Sequence, residues 1–257
     1  MSAFASGSQW LRNLFPTAKN DARLMCFPHA GGAASYYLPM AKALASVADV
    51  TAIQYPGRQD RRSESPIGDI GTLADRIVEV LDPIPGERPV AFFGHSMGAV
   101  VAFEVARRLE DLRANTPVVL FASGRRAPSI QRQEAVGKYS DDGLIAEIRA
   151  LDGTNSSMLH DDELVRMILP AVRADYRAIE SYVCAPEAVI ARPIVAILGT
   201  EDPRVSLSDA QAWESHTTGK FDLHTLPGNH FYINGHLDEL RALVRSGLDE
   251  FSAFRKL

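Results

Sequence analysis

The sequence has few cysteines. Cys26 and Cys184 are the only two in 257 residues, and neither belongs to a metal-type spacing. This excludes a disulfide-stabilised secreted fold, and we expect no metal site. Cys26 falls within an apolar strand pattern and is expected to be a buried small hydrophobic residue. Both thiols fit a reduced, cytoplasmic compartment.

Long apolar runs and targeting signals are also absent. No apolar run reaches the length of about 18 residues that a membrane span needs. The segment from Met1 to Trp10 lacks the basic start and apolar core of a secretory signal. The formal net charge of −5 argues against nucleic acid as the main partner. The glycine patterns of dinucleotide-binding and P-loop sites are missing, which disfavours a phosphate-binding function.

The chain does have an ordinary globular composition, with 46% hydrophobic and 23% charged residues. Short apolar segments alternate with segments of helical spacing, which predicts an α/β fold with a mostly parallel sheet flanked by helices. The predicted strands are Arg23–Phe27, Val50–Tyr55, Pro89–Phe93, Val118–Ala122, Ile194–Leu198 and Phe221–Leu226. The predicted helices are Tyr36–Val47, Ile70–Leu81, Met97–Leu109, Ser208–Glu214 and Leu237–Phe251.

Residues 134–188 interrupt this alternation. They contain no convincing strand but have helical patterns over Asp141–Leu151 and Asp161–Tyr182. A helical insertion at the edge where strands end is typical of a lid over an active site. We therefore predict a core of residues 1–133 and 189–257, with residues 134–188 inserted as a helical lid. The alternative is a helical excursion that only packs on the core.

The motif Gly94-His95-Ser96-Met97-Gly98 is the most informative feature of the sequence. It reads G-x-S-x-G and lies between a predicted strand and a predicted helix, which is the context of a nucleophile elbow. The two glycines let neighbouring backbone approach closely. The motif predicts that Ser96 is a nucleophile at the positive end of the helix dipole. The alternative is an ordinary strand-to-helix turn that holds a serine.

A serine nucleophile needs a general base and a carboxylate that orients the base. In folds with this elbow the chain order is serine, acid, histidine. Asp202 follows a predicted strand and is the preferred acid because Pro203 fixes the turn after it, but Glu201 stays open as an alternative. His230 lies in the loop after the last predicted strand and is the expected base. Asp209 is expected to be a solvated surface charge.

The remaining histidines have structural explanations. His95 is expected to point away from Ser96 and to pack under the elbow, while His224 lies within a strand and His236 opens the last helix. His160 and His216 lack any catalytic context.

A tetrahedral oxyanion needs two backbone donors. One is expected to be the N–H of Met97, directly after the nucleophile. The other is expected in the loop Phe27-Pro28-His29-Ala30-Gly31-Gly32, where Ala30 is the preferred donor and His29 and Gly31 are neighbouring alternatives. A plain glycine-rich turn is the alternative reading of this loop.

Taken together, these motifs resemble the type II thioesterases of polyketide and non-ribosomal peptide biosynthesis, over nearly the whole chain. The resemblance extends to Tyr55-Pro56-Gly57-Arg58, Ser123-Gly124-Arg125-Arg126-Ala127-Pro128, Leu169-Pro170, Arg173-Ala174-Asp175-Tyr176 and Pro227-Gly228-Asn229-His230-Phe231. It implies an α/β-hydrolase fold and a free-standing hydrolase that removes stalled or incorrect acyl groups from the phosphopantetheine arm of acyl or peptidyl carrier proteins.

The resemblance also implies roles for individual residues. Ser96, Asp202 and His230 would form the catalytic triad, with Ala30 and Met97 as the oxyanion donors. The reaction would pass through an acyl-serine intermediate and need no cofactor, since the phosphopantetheine belongs to the substrate.

Arginines cluster in two loops that follow predicted strands and therefore lie on the same sheet edge as Ser96. They are Arg58, Arg61, Arg62, Arg125, Arg126 and Arg132. Because carrier proteins are usually acidic, such a basic rim would steer them to the site despite the negative net charge. We therefore assign carrier docking to Arg58, Arg125 and Arg126. The alternative is that some of these side chains form internal ion pairs, above all Arg58.

The lid insertion contains apolar residues that are expected to line an acyl channel. They are Met158, Leu159, Leu164, Met167 and Ile168. Methionine suits acyl chains of varied shape. Helix packing is an equal alternative for this set.

Rival functions share the same chemistry. A carboxylesterase or lipase would use an identical triad, as would a medium-chain thioesterase of fatty-acid synthesis or a macrocycle-forming release domain. A ligand-binding protein of this fold that lacks turnover belongs to another class, and an intact triad disfavours it. We expect a monomer, since no apolar surface helix is left without a role.

Overall fold

The computed structural model describes residues 9–15, 20–81, 88–114, 116–152 and 162–252, and within them seven strands form one sheet. The strands are β1 (Leu11–Leu14), β2 (Arg23–Phe27), β3 (Asp49–Ile53), β4 (Val90–His95), β5 (Leu120–Ser123), β6 (Ile194–Gly199) and β7 (Phe221–Leu226). The helices are α1 (Leu38–Ala43), α2 (Ile70–Leu81), α3 (Met97–Asp111), α4 (Asp141–Asp152), α5 (Asp162–Ser181), α6 (Leu207–Gln211) and α7 (Leu237–Ser252).

The order of the strands in the sheet determines where a crevice for a functional site opens. The strands follow the order β1-β3-β2-β4-β5-β6-β7, and every neighbouring pair is parallel except β1 with β3. The chain goes from β2 to β3 on one side and then to β4 on the other side, so the strand order reverses at β2. At such a reversal the loops after the strands diverge and open a crevice at the carboxyl edge of the sheet. The loop after β2 and the turn after β4 form that crevice here.

Helices cover both faces of the sheet. On one face Phe27, Phe92 and Leu120 pack against α2 and α3. On the other face Cys26 and Phe93 pack against α1 and α7. Side chains alternate between the two faces along a strand, and burial of both faces explains why the strands read as continuous apolar runs. Cys26 is fully buried, as predicted.

The predicted α/β fold is confirmed, and all the predicted strands are present: Arg23–Phe27 and Phe221–Leu226 have the predicted bounds, and the other four have shifted ends. β1 was not predicted, because it is a four-residue strand whose central Arg12 and Asn13 break the apolar pattern. The predicted helix Tyr36–Val47 is shorter than expected. A 3-10 turn, Ala34–Tyr37, precedes it, and α1 then begins with a proline in its first turn.

The insertion between β5 and β6 contains α4 and α5. The two helices pack together through an apolar cluster that is separate from both sides of the main sheet. Its buried members are Val136, Leu144, Ile145, Leu169 and Val172. The boundaries of the lid insertion stay a prediction. In the part of the chain that the structure describes, no helix is long and apolar enough to cross a membrane.

Candidate active site

Ser96 lies in a strained turn between β4 and α3. Its backbone has a φ of 54° and a ψ of −121°, a combination that residues with a Cβ rarely adopt. Its N–H donates to the carbonyl oxygen of Ser123 at 2.8 Å, and its own carbonyl accepts from the N–H of Ala99 at 3.0 Å. Ser96 is partly exposed while His95 and Met97 on either side are buried. The turn therefore presents the serine at the sheet edge.

The two glycines of the motif are required by close backbone approach. A Cβ on Gly94 would lie 2.2 Å from the carbonyl oxygen of Gly98, and a Cβ on Gly98 would lie 2.0 Å from the carbonyl oxygen of Phe27. No side chain fits at these distances, because the clashing atoms belong to backbone. β2, β4 and α3 therefore meet without intervening side chains, as the motif predicts.

His95 packs under the elbow, as predicted. Its side chain is fully buried, and its Nδ1 lies 2.9 Å from Ser123 Oγ, which in turn lies 2.6 Å from the hydroxyl of Tyr232. Burial and the neighbouring His230 and His29 lower the pKa of His95 well below its usual range. Ser123 and Tyr232 were not identified from the sequence, although a serine at the end of an otherwise apolar strand beside β4 was a usable signal.

The acid and the base are brought together. His230 Nδ1 lies 2.8 Å from Asp202 Oδ2, and both side chains are almost fully buried. Asp202 also accepts from the N–H of Arg204 at 2.8 Å, which fixes the carboxylate in its turn. Glu201 is exposed. This geometry favours Asp202 over Glu201 as the partner of His230.

Ser96 lies near this pair but forms no hydrogen bond with His230 among the described residues. The rings of His95 and His230 have centroids 5.2 Å apart. The position of a Cβ on Gly124, next to Ser123, would be 3.6 Å from the His230 ring. Catalytic hydrogen bonds are often long in a free enzyme and shorten when substrate binds, so this arrangement is compatible with a triad.

The loop after β2 forms a tight turn at the same edge. The N–H of Gly32 donates to the carbonyl of His29 at 2.9 Å, and Gly31 has a φ of +76°, as in a type II turn. The N–H of Gly31 donates to Asp175 at 2.7 Å, so it is not free to act as an oxyanion donor. The N–H of Ala30 makes no hydrogen bond with the described residues, which leaves it available.

The structure does not favour carrier docking by Arg58 or Arg126. Both side chains are buried in internal ion pairs, Arg58 with Asp175 at 2.8 Å and Arg126 with Glu134 at 2.7 Å. A buried, neutralised guanidinium offers little charge to a partner. Nothing local in the sequence signals a pair that is 117 residues apart.

The other arginines of the predicted rim are Arg61, Arg62, Arg125 and Arg132, of which Arg62 is exposed. Arg61 is buried against Glu64, and Arg132 pairs with Asp209 at 2.5 Å. Asp209 is therefore not the solvated charge that the sequence suggested, and it completes the capping box of α6 by accepting from the N–H of the N-cap residue Ser206. Arg125 is partly buried, and its side chain makes no ion pair or hydrogen bond with the described residues, although its backbone carbonyl accepts from Trp213 Nε1 at 2.8 Å. Burial and the nearby Arg126 lower the pKa of Arg125 to about 10, so it stays cationic at neutral pH.

The proposed acyl-channel residues receive little support. Met158 and Leu159 lie outside the described residues, as does the side chain of Leu164. Met167 is 63% exposed and Ile168 packs against the cluster between α4 and α5. Their position follows from the amphipathic character of α5, which turns Ile168 toward α4 and Met167 toward solvent. For these two residues, helix packing and exposure replace the channel interpretation.

The remaining histidines have the structural surroundings expected of them, except that His160 lies outside the described residues. His216 bonds the carbonyl of Ala188 and the hydroxyl of Ser129, His224 is exposed on β7, and His236 pairs with Glu239. Among the described residues, no group of three or more His, Cys, Asp or Glu side chains is arranged to hold a metal ion.

His29 gives the active-site edge a testable pH dependence. Its ring packs against Tyr36, Phe231 and His95, and burial together with His230 and Arg58 lowers its pKa from 6.5 to about 3. Between these two values the unfolded chain binds a proton that the folded protein does not, so stability falls as the pH drops below 6.5. We expect His29→Phe to lose less stability than the wild type between pH 7.5 and pH 5, by about 2 kcal/mol.

Urea unfolding of both proteins at the two pH values measures this difference. The comparison cancels the contributions of carboxylates that the two proteins share. Parallel losses of stability would show that His29 titrates normally in the folded protein.

The parallel sheet, the strained serine elbow and the helices on both faces define the α/β-hydrolase class. A thioesterase domain model matches residues 22–247. A protein of Streptomyces griseus named "Probable cadicidin biosynthesis thioesterase" is 47% identical over 243 residues, which are 95% of this chain and 67% of that protein.

Two solved structures are similar over nearly their whole length. The type II thioesterase BorB from the borrelidin biosynthetic cluster has a TM-score of 0.86 and 47% identity, covering 93% of this chain and 97% of that one. YbtT, a type II thioesterase from the yersiniabactin NRPS/PKS pathway, has a TM-score of 0.82 and 28% identity, covering 95% and 98%. This chain belongs to the thioesterase domain family.

Proposed function

We propose that this protein hydrolyses aberrant or stalled acyl thioesters on the phosphopantetheine arm of carrier proteins in polyketide or non-ribosomal peptide synthesis. The observation that carries the proposal is the 2.8 Å contact between His230 and Asp202, at the sheet edge where Ser96 occupies its strained turn. In a member of the thioesterase family, this is the arrangement that a serine hydrolase needs.

In the first half of the reaction, Ser96 Oγ attacks the thioester carbonyl carbon and His230 accepts the hydroxyl proton. Asp202 holds the His230 ring with its Nδ1–H toward the carboxylate and stabilises the imidazolium. The N–H groups of Ala30 and Met97 stabilise the negative oxygen of the tetrahedral intermediate. When the C–S bond breaks, the proton on His230 passes to the departing sulfur. The products are acyl-Ser96 and the free carrier thiol.

In the second half, water attacks the acyl-serine carbonyl while His230 accepts a proton from it. The tetrahedral intermediate collapses with release of Ser96, which regains its proton from His230. The net reaction consumes one water and yields a carboxylic acid and a carrier thiol. No step requires a metal or a redox cofactor, since all proton transfers pass through His230.

The relatives support a carrier-bound substrate. BorB and YbtT are both described as type II thioesterases of biosynthetic pathways, YbtT of a combined NRPS/PKS pathway. The function of those proteins is the best guide to a chain that matches BorB over almost its full length. A carrier protein places its acyl group at the end of a long flexible arm, which suits a nucleophile at the open edge of the sheet.

The test is to follow the intact mass of an acetyl-loaded carrier protein over time with the wild type and with Ser96→Ala. We expect loss of the acetyl group with the wild type alone. A carrier that stays loaded while small esters are cleaved would reject the proposal in favour of a carboxylesterase. Preference for medium-chain over acetyl carriers would instead favour a fatty-acid thioesterase.

Arg125 is the part of the docking hypothesis that remains. It follows β5 on the same edge as Ser96, and it is the member of the Arg125–Arg126 pair that makes no internal ion pair with the described residues. We expect Arg125→Gln to raise KM for an acyl-carrier about 3- to 10-fold, because rim charges act on the encounter of the partners. The KM for a small thioester should stay unchanged.

Arg113→Gln is the matched control. Arg113 is exposed and follows the far end of α3, at the opposite edge of the sheet from Ser96. The Arg113→Gln substitution removes the same charge but lies away from the proposed docking edge. The KM values of this variant should therefore match those of the wild type. Equal KM changes for both substrates, or equal effects of the two variants, would argue against docking at Arg125.

A further inference from the structure

The lid helix α5 contacts the loop after β2 (residues 27–32, here called the oxyanion loop) through one carboxylate. Asp175 is 1% exposed, and its Oδ2 accepts from the N–H of Gly31 at 2.7 Å. These residues are 144 positions apart in the sequence. A residue of the insertion thus binds directly to the peptide that follows Ala30.

Val172 makes a second contact one helical turn earlier. A Cβ on Gly31 would lie 2.6 Å from Val172 Cγ2, so the helix packs directly on the glycine backbone. Residues three apart on a helix lie on the same face. Val172 and Asp175 therefore present one surface of α5 to the oxyanion loop, with a packing contact and a hydrogen bond.

Arg58 completes the connection from the core. Its Nη1 donates to Asp175 Oδ2 at 2.8 Å and its Nη2 donates to Asp175 Oδ1 at 3.0 Å. Nη1 also donates to the carbonyl of Gly32 at 2.9 Å. The Arg58–Asp175 pair therefore binds two backbone groups of the turn, the N–H of Gly31 and the carbonyl of Gly32.

The turn needs such support. In a four-residue turn closed between His29 and Gly32, the peptide between the two central residues can take either of two opposite orientations. The bond from the Gly31 N–H to Asp175 selects one orientation of that peptide. The N–H of Ala30 belongs to the preceding peptide, which shares the Ala30 Cα with this one, so the bond also limits how far the Ala30 N–H can move from the developing oxyanion.

We infer that Asp175 is a positioning residue for the oxyanion hole, held by Arg58, so that α5 must be seated for the hole to form. The inference rests on the proposed function, in which Ala30 donates to the oxyanion. It assigns to the lid insertion a role in the chemical step as well as in covering the site. Movement of α5 away from the loop would remove the support and disable hydrolysis.

The experiment measures kcat and KM for a small acetyl thioester with Asp175→Asn. We expect kcat to fall about 10- to 100-fold, less than the ~10²–10³-fold lost when a donor is removed outright. KM should change less than about twofold, because the ground state does not use the oxyanion donors. A trifluoromethyl ketone, which forms a tetrahedral adduct with the serine, should lose affinity in proportion to kcat/KM.

Glu180→Gln is the matched control. Glu180 also lies on α5 and also accepts backbone N–H groups, from Val136 at 2.7 Å and Gly137 at 3.2 Å, but it makes no bond to the oxyanion loop. Its kcat should equal that of the wild type. Equal kcat values for Asp175→Asn and Glu180→Gln would overturn the inference.

A double variant separates positioning from folding. Asp175→Asn leaves Arg58 buried without its charged partner, which destabilises a fold. Arg58→Met with Asp175→Leu removes both charges together, and we expect it to fold with a Tm near that of the wild type while kcat stays low. Wild-type kcat in this variant would overturn the inference. Absence of hydrolysis by the wild type itself would instead reject the proposed function.

Discussion

Ser96→Ala is expected to lower kcat for thioester hydrolysis by a factor on the order of 10⁶, the largest effect we predict for a single substitution. The variant keeps the turn and loses only the nucleophilic oxygen. Ser96 has no side-chain hydrogen bond with the described residues that the fold depends on. Stability should therefore change little, and the measured Tm should stay close to that of the wild type.

The residual rate of this variant is informative as well. If Ala30 and Met97 stabilise the oxyanion, the variant should still hydrolyse small thioesters faster than water does, since oxyanion stabilisation survives loss of the nucleophile. Single-turnover assays with high enzyme concentration measure that rate. A variant that retains a tenth or more of the wild-type kcat would show that another residue is the nucleophile.

A fluorophosphonate probe gives an independent measurement. It should label the wild type on Ser96 and leave the variant unlabelled, which a peptide mass map of the labelled protein would verify. A protein that binds acyl ligands without turnover should not react at all. Labelling at a different serine would contradict the assignment of the elbow.

Much of this site could be predicted because its signals are local. Gly94 and Gly98 flank Ser96 within five residues, and the structure shows why both must lack a side chain. The inner strands of the parallel sheet are buried on both faces, so short apolar runs marked them reliably. The edge strand β1 was missed because a four-residue strand with polar centre residues carries no such signal.

Contacts between distant segments could not be predicted in this way. The buried pair of Arg58 and Asp175 joins the loop after β3 to the lid helix, and only the folded sheet brings these segments together. The charge of an arginine is visible in the sequence, but its partner is not. The basic rim was therefore overestimated, since Arg58 is neutralised by a partner on the lid helix and Arg126 by Glu134, eight residues further along the chain.

Of the elements discussed, the lid helix α5 has the role that differs most between the prediction from the sequence and the structure. From the sequence it is a cover that supplies apolar residues to the acyl chain. In the structure Met167 points to solvent and Ile168 packs on α4, while Asp175 binds the oxyanion loop. Substrate access and oxyanion geometry would then depend on the same helix. The enzyme with α5 displaced from the loop would therefore hydrolyse thioesters more slowly.

Asp202→Asn is the prediction with the second largest effect, a fall in kcat of about 10⁴-fold. Asp202 accepts a hydrogen bond from His230 Nδ1 at 2.8 Å, which keeps the other ring nitrogen free to accept the serine proton. An asparagine amide at this position can donate to Nδ1 and so favours the wrong tautomer. Neutralisation also removes the charge that stabilises the imidazolium in the transition state.

Glu201→Gln is the control that the chain itself supplies. Glu201 is the neighbouring carboxylate and the alternative acid by sequence, but it is exposed and makes no bond to His230 among the described residues. We expect it to keep at least half of the wild-type kcat. Steady-state kinetics of both variants decide between the two acids, because only the variant that loses the partner of His230 should lose most of its kcat. A large loss in Glu201→Gln with normal activity in Asp202→Asn would transfer the role to Glu201 and require the turn after β6 to rearrange before catalysis.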